Sequence, residues 1–118
     1  MVLVYIAGCY NSKDGYNGIE KNIREAEKYA IELANNNIAF ICPHLNSNHF
    51  EVKAKANEDF YYKQDIELLK CCNIMIVIPG WENSVGVKNE IEYAKNHDIQ
   101  IFYVESVNDI KKIKNYML

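Results

Sequence analysis

The 118-residue sequence has no apolar stretch that approaches the roughly 18 uninterrupted residues of a membrane-spanning helix. Its amino terminus, MVLVYIAG, is apolar, but no basic residues precede the run and no plausible cleavage site follows it. The segment is therefore typical of a buried strand and not of a signal peptide. We expect a protein of the cytoplasm.

The sequence also lacks the patterns of a metal site and of a nucleic-acid-binding surface. Its four cysteines include no C-x-x-C pair, and its three histidines lie in unrelated places. The net charge is -3, and the lysines are scattered along helical stretches, so no basic patch for a polymer backbone is predicted. We expect reduced, buried thiols, no metal or other cofactor, and a small molecule as the ligand.

Apolar residues follow two alternating periods, which predicts alternating strands and helices. Residues 2–7 form a nearly continuous apolar run, as in a strand buried on both faces, and the stretch that follows from residue 18 has helical spacing. The pattern predicts strands at residues 2–7, 38–42, 74–78 and 99–104, and helices at residues 18–36, 59–72, 85–96 and 107–117.

This order predicts an α/β fold, a flavodoxin- or Rossmann-like three-layer αβα sandwich with a four-stranded parallel sheet. The length fits one domain, residues 1–118. Because β-α-β crossovers are almost always right-handed, few arrangements remain, and we expect the strand order 2-1-3-4. Strands 1 and 3 are then adjacent with crossovers on opposite faces. The ligand crevice is therefore predicted beyond Gly8 and Ile78.

The segment from residue 43 to about residue 57 has no periodicity, and we expect a long loop. It contains His44 and His49, and loops of this length are often binding lids. We include His44 among the expected substrate-binding residues. Trp81, which follows the Pro79-Gly80 turn, is either an aromatic that stacks on a base or part of a subunit contact.

One carboxyl group is predicted to lie within an apolar helix face. At about 100° per residue, Asp65 falls in the middle of the face of Tyr61, Leu68, Leu69 and Cys72. Partial burial disfavours the charged form and raises the pKa, as a general acid requires. The alternative is an aspartate that hydrogen-bonds the backbone of a nearby loop.

A second carboxyl group, Glu90, lies in the second turn of the helix at residues 85–96. It is at the edge of the apolar face, and the residues alone favour a solvated surface glutamate. Ser84 is the expected N-cap, and Gly86 lets a ligand approach the backbone. Free N–H groups and the helix dipole suit a phosphate or a ribose hydroxyl, unless Ser84 only caps the helix.

Tyr5 lies on the first strand, close to its carboxyl end. A tyrosine in such a position usually belongs to the core.

Three segments resemble the nucleoside 2-deoxyribosyltransferase superfamily: YIAGCY at residues 5–10, DIELLKCCNIMIV at residues 65–77 and SVGVKNEIEYA at residues 84–94. This superfamily includes 2'-deoxynucleoside 5'-phosphate N-hydrolases and small phage or bacterial relatives with a PGW-type turn. The similarity spans about the first 104 residues. The motif SVGV with Glu90 and Ala94 is its strongest part, because the order, the spacing and the position after a buried strand all fit.

The resemblance implies a role for each residue of the predicted crevice. Glu90 is the expected nucleophile that attacks the sugar C1', Asp65 the acid near the departing base, and Tyr5 the group that orients the nucleophile. Ser84 occupies the position that contacts a 5'-phosphate in the phosphate-using hydrolases. The implied enzyme is an N-glycosidase that hydrolyses a (deoxy)nucleoside 5'-monophosphate through a covalent glycosyl-Glu90 intermediate. The expected substrate-binding residues are Gly8, His44, Trp81, Ser84 and Gly86.

Two features depart from the family pattern. Asn73 stands where many relatives have Asp, and the longer transferases have a C-terminal segment that completes a neighbouring subunit's site. Without such a segment water is harder to exclude, so we expect hydrolysis over base transfer. The resemblance also implies a homodimer or a higher homo-oligomer. The alternatives are a nucleoside deoxyribosyltransferase, a non-catalytic module that binds or sequesters a nucleotide, and a structural domain with an empty crevice.

Overall fold

The computed structural model describes residues 1–117 as one sheet with helices on both of its faces. The elements in chain order are β1 (Leu3–Ala7), α1 (Tyr16–Asn35), β2 (Ala39–Ile41), α2 (Pro43–Asn46), α3 (Phe50–Lys53), α4 (Glu58–Lys70), β3 (Ile74–Val77), α5 (Val85–Asn96), β4 (Gln100–Tyr103) and α6 (Ile110–Met117). The four strands are parallel, in the order β2-β1-β3-β4. The predicted fold class and strand order are confirmed.

Side chains alternate across the two central strands, which buries the sheet on both faces. Val4, Ile6 and Ile76 belong to one core cluster, which contains the apolar faces of α1 and α6. Tyr5 and Met75 belong to the other, which contains those of α4 and α5. This alternation directs Tyr5 towards the helices that carry the two predicted carboxyl groups.

The segment that follows β2 differs from the prediction of a long loop. It forms two single-turn helices, α2 and α3, separated by residues 47–49, of which His49 has a backbone φ of 57°. A helix of one turn is too short to show a periodic apolar pattern. Pro43 is the first residue of α2, where a backbone N–H has no partner within the helix. The N–H that proline lacks is therefore not needed there. The other predicted elements are present, with small shifts at their ends.

Asn73 joins three strands at their amino ends. Its Oδ1 accepts from the Leu3 backbone N–H at 2.8 Å, and its own N–H donates to the Leu3 carbonyl at 2.9 Å. Its carbonyl accepts from the Gln100 N–H at 3.2 Å. The ligand crevice of such sheets lies at the opposite, carboxyl end. The Asn73 side chain therefore links the amino ends of β1 and β3, at the end of the sheet remote from the predicted crevice.

The four cysteines are free thiols, of which Cys42 and Cys72 are buried. Cys71 is exposed, so the prediction of burial is wrong for this residue. Within residues 1–117 no group of three or more histidine, cysteine, aspartate or glutamate side chains is arranged to hold a metal ion. No helix in this part of the chain has both the length and the apolar composition to cross a membrane.

Candidate active site

A cavity of about 630 Å³ opens beyond the carboxyl end of β1, between the α2–α3 segment and the helices α4 and α5. The structure brings seven of the eight predicted site residues together in its wall. These are Tyr5, Gly8, His44, Asp65, Ser84, Gly86 and Glu90. Since the sheet has its switch point between β1 and β3, the cavity lies where the topology places a ligand.

Glu90 is buried, which the residue pattern alone did not predict. It lies one turn after Val87, on a helix whose face is buried against the sheet, and it is 8% exposed. Burial is the main reason that its pKa is raised to about 8, and the negative charge of Asp65 raises it further. The hydrogen bond from Tyr5 acts in the opposite direction. Glu90 is therefore a carboxyl group that takes up a proton near neutral pH.

Tyr5 supplies the hydrogen bond that Glu90 receives. Its side chain is 1% exposed, and its hydroxyl donates to Glu90 Oε2. Burial, followed by the charge of Glu90, raises the pKa of Tyr5 well above its usual value of 10.0. The hydroxyl therefore keeps its proton and remains a donor to the carboxylate.

Asp65 is partly buried in α4, as its position on the apolar face predicts. Burial raises its pKa from 3.8 to about 6. Its Oδ1 atom is buried and has no hydrogen-bond partner among residues 1–117. Asp65 and Glu90 together therefore titrate as a pair, and between about pH 6 and pH 8 the pair holds one proton.

The start of α5 forms another part of the wall. Ser84 Oγ accepts from the Val87 backbone N–H at 3.2 Å, so the predicted N-cap is confirmed. A Cβ atom placed on Gly86 would meet nothing closer than Ser84 Oγ at 3.8 Å, so the backbone is open to an approaching group. Gly8 is different, because a Cβ atom there would lie 2.6 Å from the Ile78 side chain. Packing against Ile78 therefore requires a glycine at position 8.

His44 is 4% exposed and lies in α2. Its Nε2 atom is 3.0 Å from the carbonyl oxygen of Cys9, and because a carbonyl only accepts, Nε2 carries the proton. Burial lowers the pKa of His44, so the ring is neutral near pH 7. Nδ1 is then an acceptor, and it has no partner within the described residues.

Trp81 is the predicted site residue that does not line the cavity. It is half-buried against the core cluster of α4 and α5, and its ring lies 5.3 Å from the ring of Tyr103. The turn at Pro79-Gly80 directs the chain towards β4 before α5 begins. The structure therefore gives no support to Trp81 as a substrate-binding residue.

Sequence reasoning missed several residues of the outer wall. The added residues are Tyr10, Asn11, Phe50, Glu51, Asn57, Glu58, Tyr61 and Tyr62. Two of them could have been predicted from helical spacing. Glu58 and Tyr61 precede Asp65 by seven and four residues, so they share its face of the helix. The segment from residue 43 to about residue 57 was predicted as a loop of the kind that often forms a binding lid, but no spacing in it singled out Phe50 or Glu51. Its residues reach the cavity through contacts distant in sequence, such as the 2.5 Å hydrogen bond that Tyr10 donates to Glu51.

A family model described as a domain of unknown function (DUF7768) matches residues 2–104. No curated protein matches the chain significantly. The fold is similar to that of a 2-deoxyribosyltransferase from the psychrotolerant bacterium Bacillus psychrosaccharolyticus, with a TM-score of 0.65 and 18% identity. The match covers 92% of this chain and 90% of that one. That enzyme is described as a biocatalyst for the synthesis of antiviral and antitumoral nucleosides.

Proposed function

For this chain, which belongs to the family of the domain of unknown function DUF7768, we propose that it cleaves the bond between the base and the sugar of a nucleoside or nucleotide. The observation that carries the proposal is the buried Glu90 carboxyl group, which accepts a hydrogen bond from Tyr5 in the same cavity as Asp65. Two carboxyl groups beside one cavity, one as nucleophile and one as acid, are the equipment of a retaining glycosidase.

The proposed reaction has two steps. Ionised Glu90 attacks the sugar C1' and forms a glycosyl ester, while protonated Asp65 donates its proton to the departing base. Tyr5 holds the carboxylate in place by its hydrogen bond. A water molecule, activated by Asp65, which is now ionised, then attacks C1' and releases the sugar and Glu90.

The protonation states set the pH range of this reaction. The single proton of the pair lies mainly on Glu90, because its pKa of about 8 exceeds the value of about 6 for Asp65. The reactive form has the proton on Asp65 and the charge on Glu90. The population of this reactive form is also largest between the two pKa values.

The start of α5 supports a 5'-monophosphate as the substrate. Ser84 and Gly86 line the cavity where a helix of 12 residues begins, and the Ser84 hydroxyl can donate to an anion while its oxygen accepts from Val87. Backbone N–H groups and the helix dipole add to the attraction of a phosphate. We therefore propose hydrolysis of a (deoxy)nucleoside 5'-monophosphate as the first candidate reaction.

The charges of the cavity favour a second candidate, cleavage of or base transfer from a free nucleoside. Four carboxyl groups line the cavity, at Glu51, Glu58, Asp65 and Glu90, and within residues 1–117 no lysine or arginine lines it. Like charges at close range raise the free energy of a bound dianion, whereas a neutral sugar hydroxyl suffers no such penalty.

Matched pairs of substrates separate the two candidates. Each nucleoside and its 5'-monophosphate are incubated with the protein, and free base is followed by chromatography, with and without a second base as acceptor. A higher kcat/KM for the monophosphate, reduced in Ser84→Ala, supports the first candidate. A preference for the nucleoside supports the second, and a new nucleoside in the presence of the acceptor base identifies transfer. No base released from any compound contradicts both.

A further inference from the structure

Among residues 1–117, the charged side chains that line the cavity are all carboxyl groups. Besides the four carboxyl groups, neutral His44 has an unpaired acceptor, Nδ1, on a ring that is 4% exposed. The carboxyl groups of the outer wall have only partial compensation, since Glu51 accepts from Tyr10 and lies 3.5 Å from His49 Nδ1, and Glu58 accepts from the Asn11 amide at 3.3 Å. Lys13 lies in a neighbouring cleft. A wall of this kind fits a ligand that brings positive charge.

Aromatic rings face the same space. Tyr10, Phe50, Tyr61 and Tyr62 line the cavity, and the rings of Phe50 and Tyr61 meet edge to face with their centroids 6.5 Å apart. The face of an aromatic ring is negative, so a flat cation that lies on such a face gains from stacking and from cation–π attraction. Carboxyl groups and tyrosine rings together are a combination that recognises a delocalised cation.

We propose that the preferred substrate is a nucleoside whose base carries a fixed positive charge, such as a pyridinium or N-alkylated purine nucleoside, held by Glu58 and the tyrosine rings of the outer wall. The inference rests on the proposed function in its second form, the cleavage of a free nucleoside, and names the substrate class of that site. The charge of the substrate would also act on the nucleophile. A cation in the cavity favours the ionised form of Glu90, whereas a phosphate dianion opposes it.

The chemistry balances without an added acid. When Glu90 attacks C1', the electron pair of the C1'–N bond moves to the ring nitrogen, and the cationic base departs as a neutral molecule. Water then attacks C1', the glycosyl ester breaks, Glu90 is regenerated as the carboxylate, and one proton is released. A neutral nucleoside requires a proton on its base before departure, and Asp65 is the group placed to supply it.

Binding can be tested separately from cleavage with two compounds of equal shape. Nicotinamide riboside carries a pyridinium ring, and benzamide riboside is its neutral isostere with a C–C bond at C1'. In a Glu90→Gln background, which stops turnover, calorimetry should give an affinity for nicotinamide riboside at least about tenfold higher. Glu58→Gln should reduce this ratio by about fivefold, because it removes one nearby negative charge.

Glu67→Gln is the matched control, since Glu67 is an exposed glutamate of the same helix that does not line the cavity. It should leave the ratio within about twofold. Equal affinities for the two compounds, or equal effects of the two substitutions, would overturn the inference. If Glu90→Gln does not fold, the affinities of the wild-type chain for 1-methylnicotinamide and for neutral 3-methylbenzamide are compared instead. Neither compound can be cleaved.

Base release by the wild-type chain is measured in parallel, so that the two proposals fail separately. Cleavage of nucleosides without any preference for charge in the binding experiment leaves the N-glycosidase intact and overturns only this inference. Charge-selective binding without cleavage of any nucleoside contradicts the proposed function and leaves a cavity for cationic ligands.

Discussion

The hydroxyl of Tyr5 donates a hydrogen bond to Glu90 across a separation of 85 residues in the sequence. Tyr5 lies on the strand at the centre of the sheet, and the alternation of that strand directs it to the side where α5 packs. Glu90 lies in the second turn of α5 and is buried with it. The contact holds the Glu90 carboxyl group beside the cavity in which a sugar is proposed to bind. Because this carboxyl group is buried, its ionisation is costly.

The Tyr5→Phe substitution tests this contact. Loss of the hydroxyl removes the hydrogen bond that lowers the pKa of Glu90, so this pKa should rise above about 8. The limb of the pH-rate profile near pH 8, which is set by the pKa of Glu90, should move to higher pH, and kcat/KM at pH 7 should fall by about tenfold or more. Tyr29→Phe, in the opposite core cluster, is the control. An unchanged profile in Tyr5→Phe would show that the contact plays no part in the reaction.

The pH profile of the wild-type protein should be bell-shaped for neutral nucleosides. One limb is expected near pH 6 and the other near pH 8, as macroscopic values of the Asp65 and Glu90 pair. Asp65→Asn should remove the limb at high pH, because no acid then remains that must keep its proton for the reaction. The remaining limb should then follow the pKa of Glu90 alone and lie above pH 6 and below pH 8, because the charge of Asp65 no longer raises that pKa. A bell that persists in this variant would contradict the assignment of Asp65.

Folding stability should depend on pH through Glu90. Its pKa rises from 4.5 to about 8 in the folded protein, so the folded state holds this proton more tightly than the unfolded chain does. The resulting stabilisation is complete below pH 4.5 and is lost as the pH rises through about 8. For one group the slope is at most about 1.4 kcal/mol per pH unit.

Glu90→Gln carries no titrating group, so its free energy of unfolding should fall less between pH 5 and pH 8 than that of the wild-type protein. Urea unfolding at a series of pH values measures the difference. Glu92→Gln, at an exposed position of the same helix, should follow the wild-type curve. Parallel curves for wild type and Glu90→Gln would contradict the burial of an ionisable group at this position.

Much of the fold could be predicted because its signals are local. The continuous apolar runs of the central strands and the cap at Ser84 are written in neighbouring residues, and the handedness of crossovers then fixes the strand order. The burial of Glu90 has no local signal. Its position at the edge of an apolar face favours a solvated glutamate, and the family resemblance was needed to single it out. Tyr10 and Glu51 meet through a contact across 41 residues, which no pattern of spacing encodes.

Gly8 offers a test of packing at the cavity. An alanine methyl group there would lie 2.6 Å from two atoms of Ile78, which is 3% exposed and has little room to move. Gly8→Ala should therefore lower the free energy of unfolding by about 1–3 kcal/mol. In an Ile78→Ala background the same change should cost much less, because the clash is removed. An equal cost in both backgrounds would show that the two side chains do not compete for space.

The most direct test of the central claim is base release by the wild-type chain, by Glu90→Gln and by the exposed control Glu92→Gln, with a panel of nucleosides and their 5'-monophosphates. We expect release by the wild-type protein and by Glu92→Gln, and a loss of at least about a thousandfold in Glu90→Gln. Circular dichroism checks that each variant is folded. The absence of release from every compound, or release that Glu90→Gln leaves undiminished, would contradict the account.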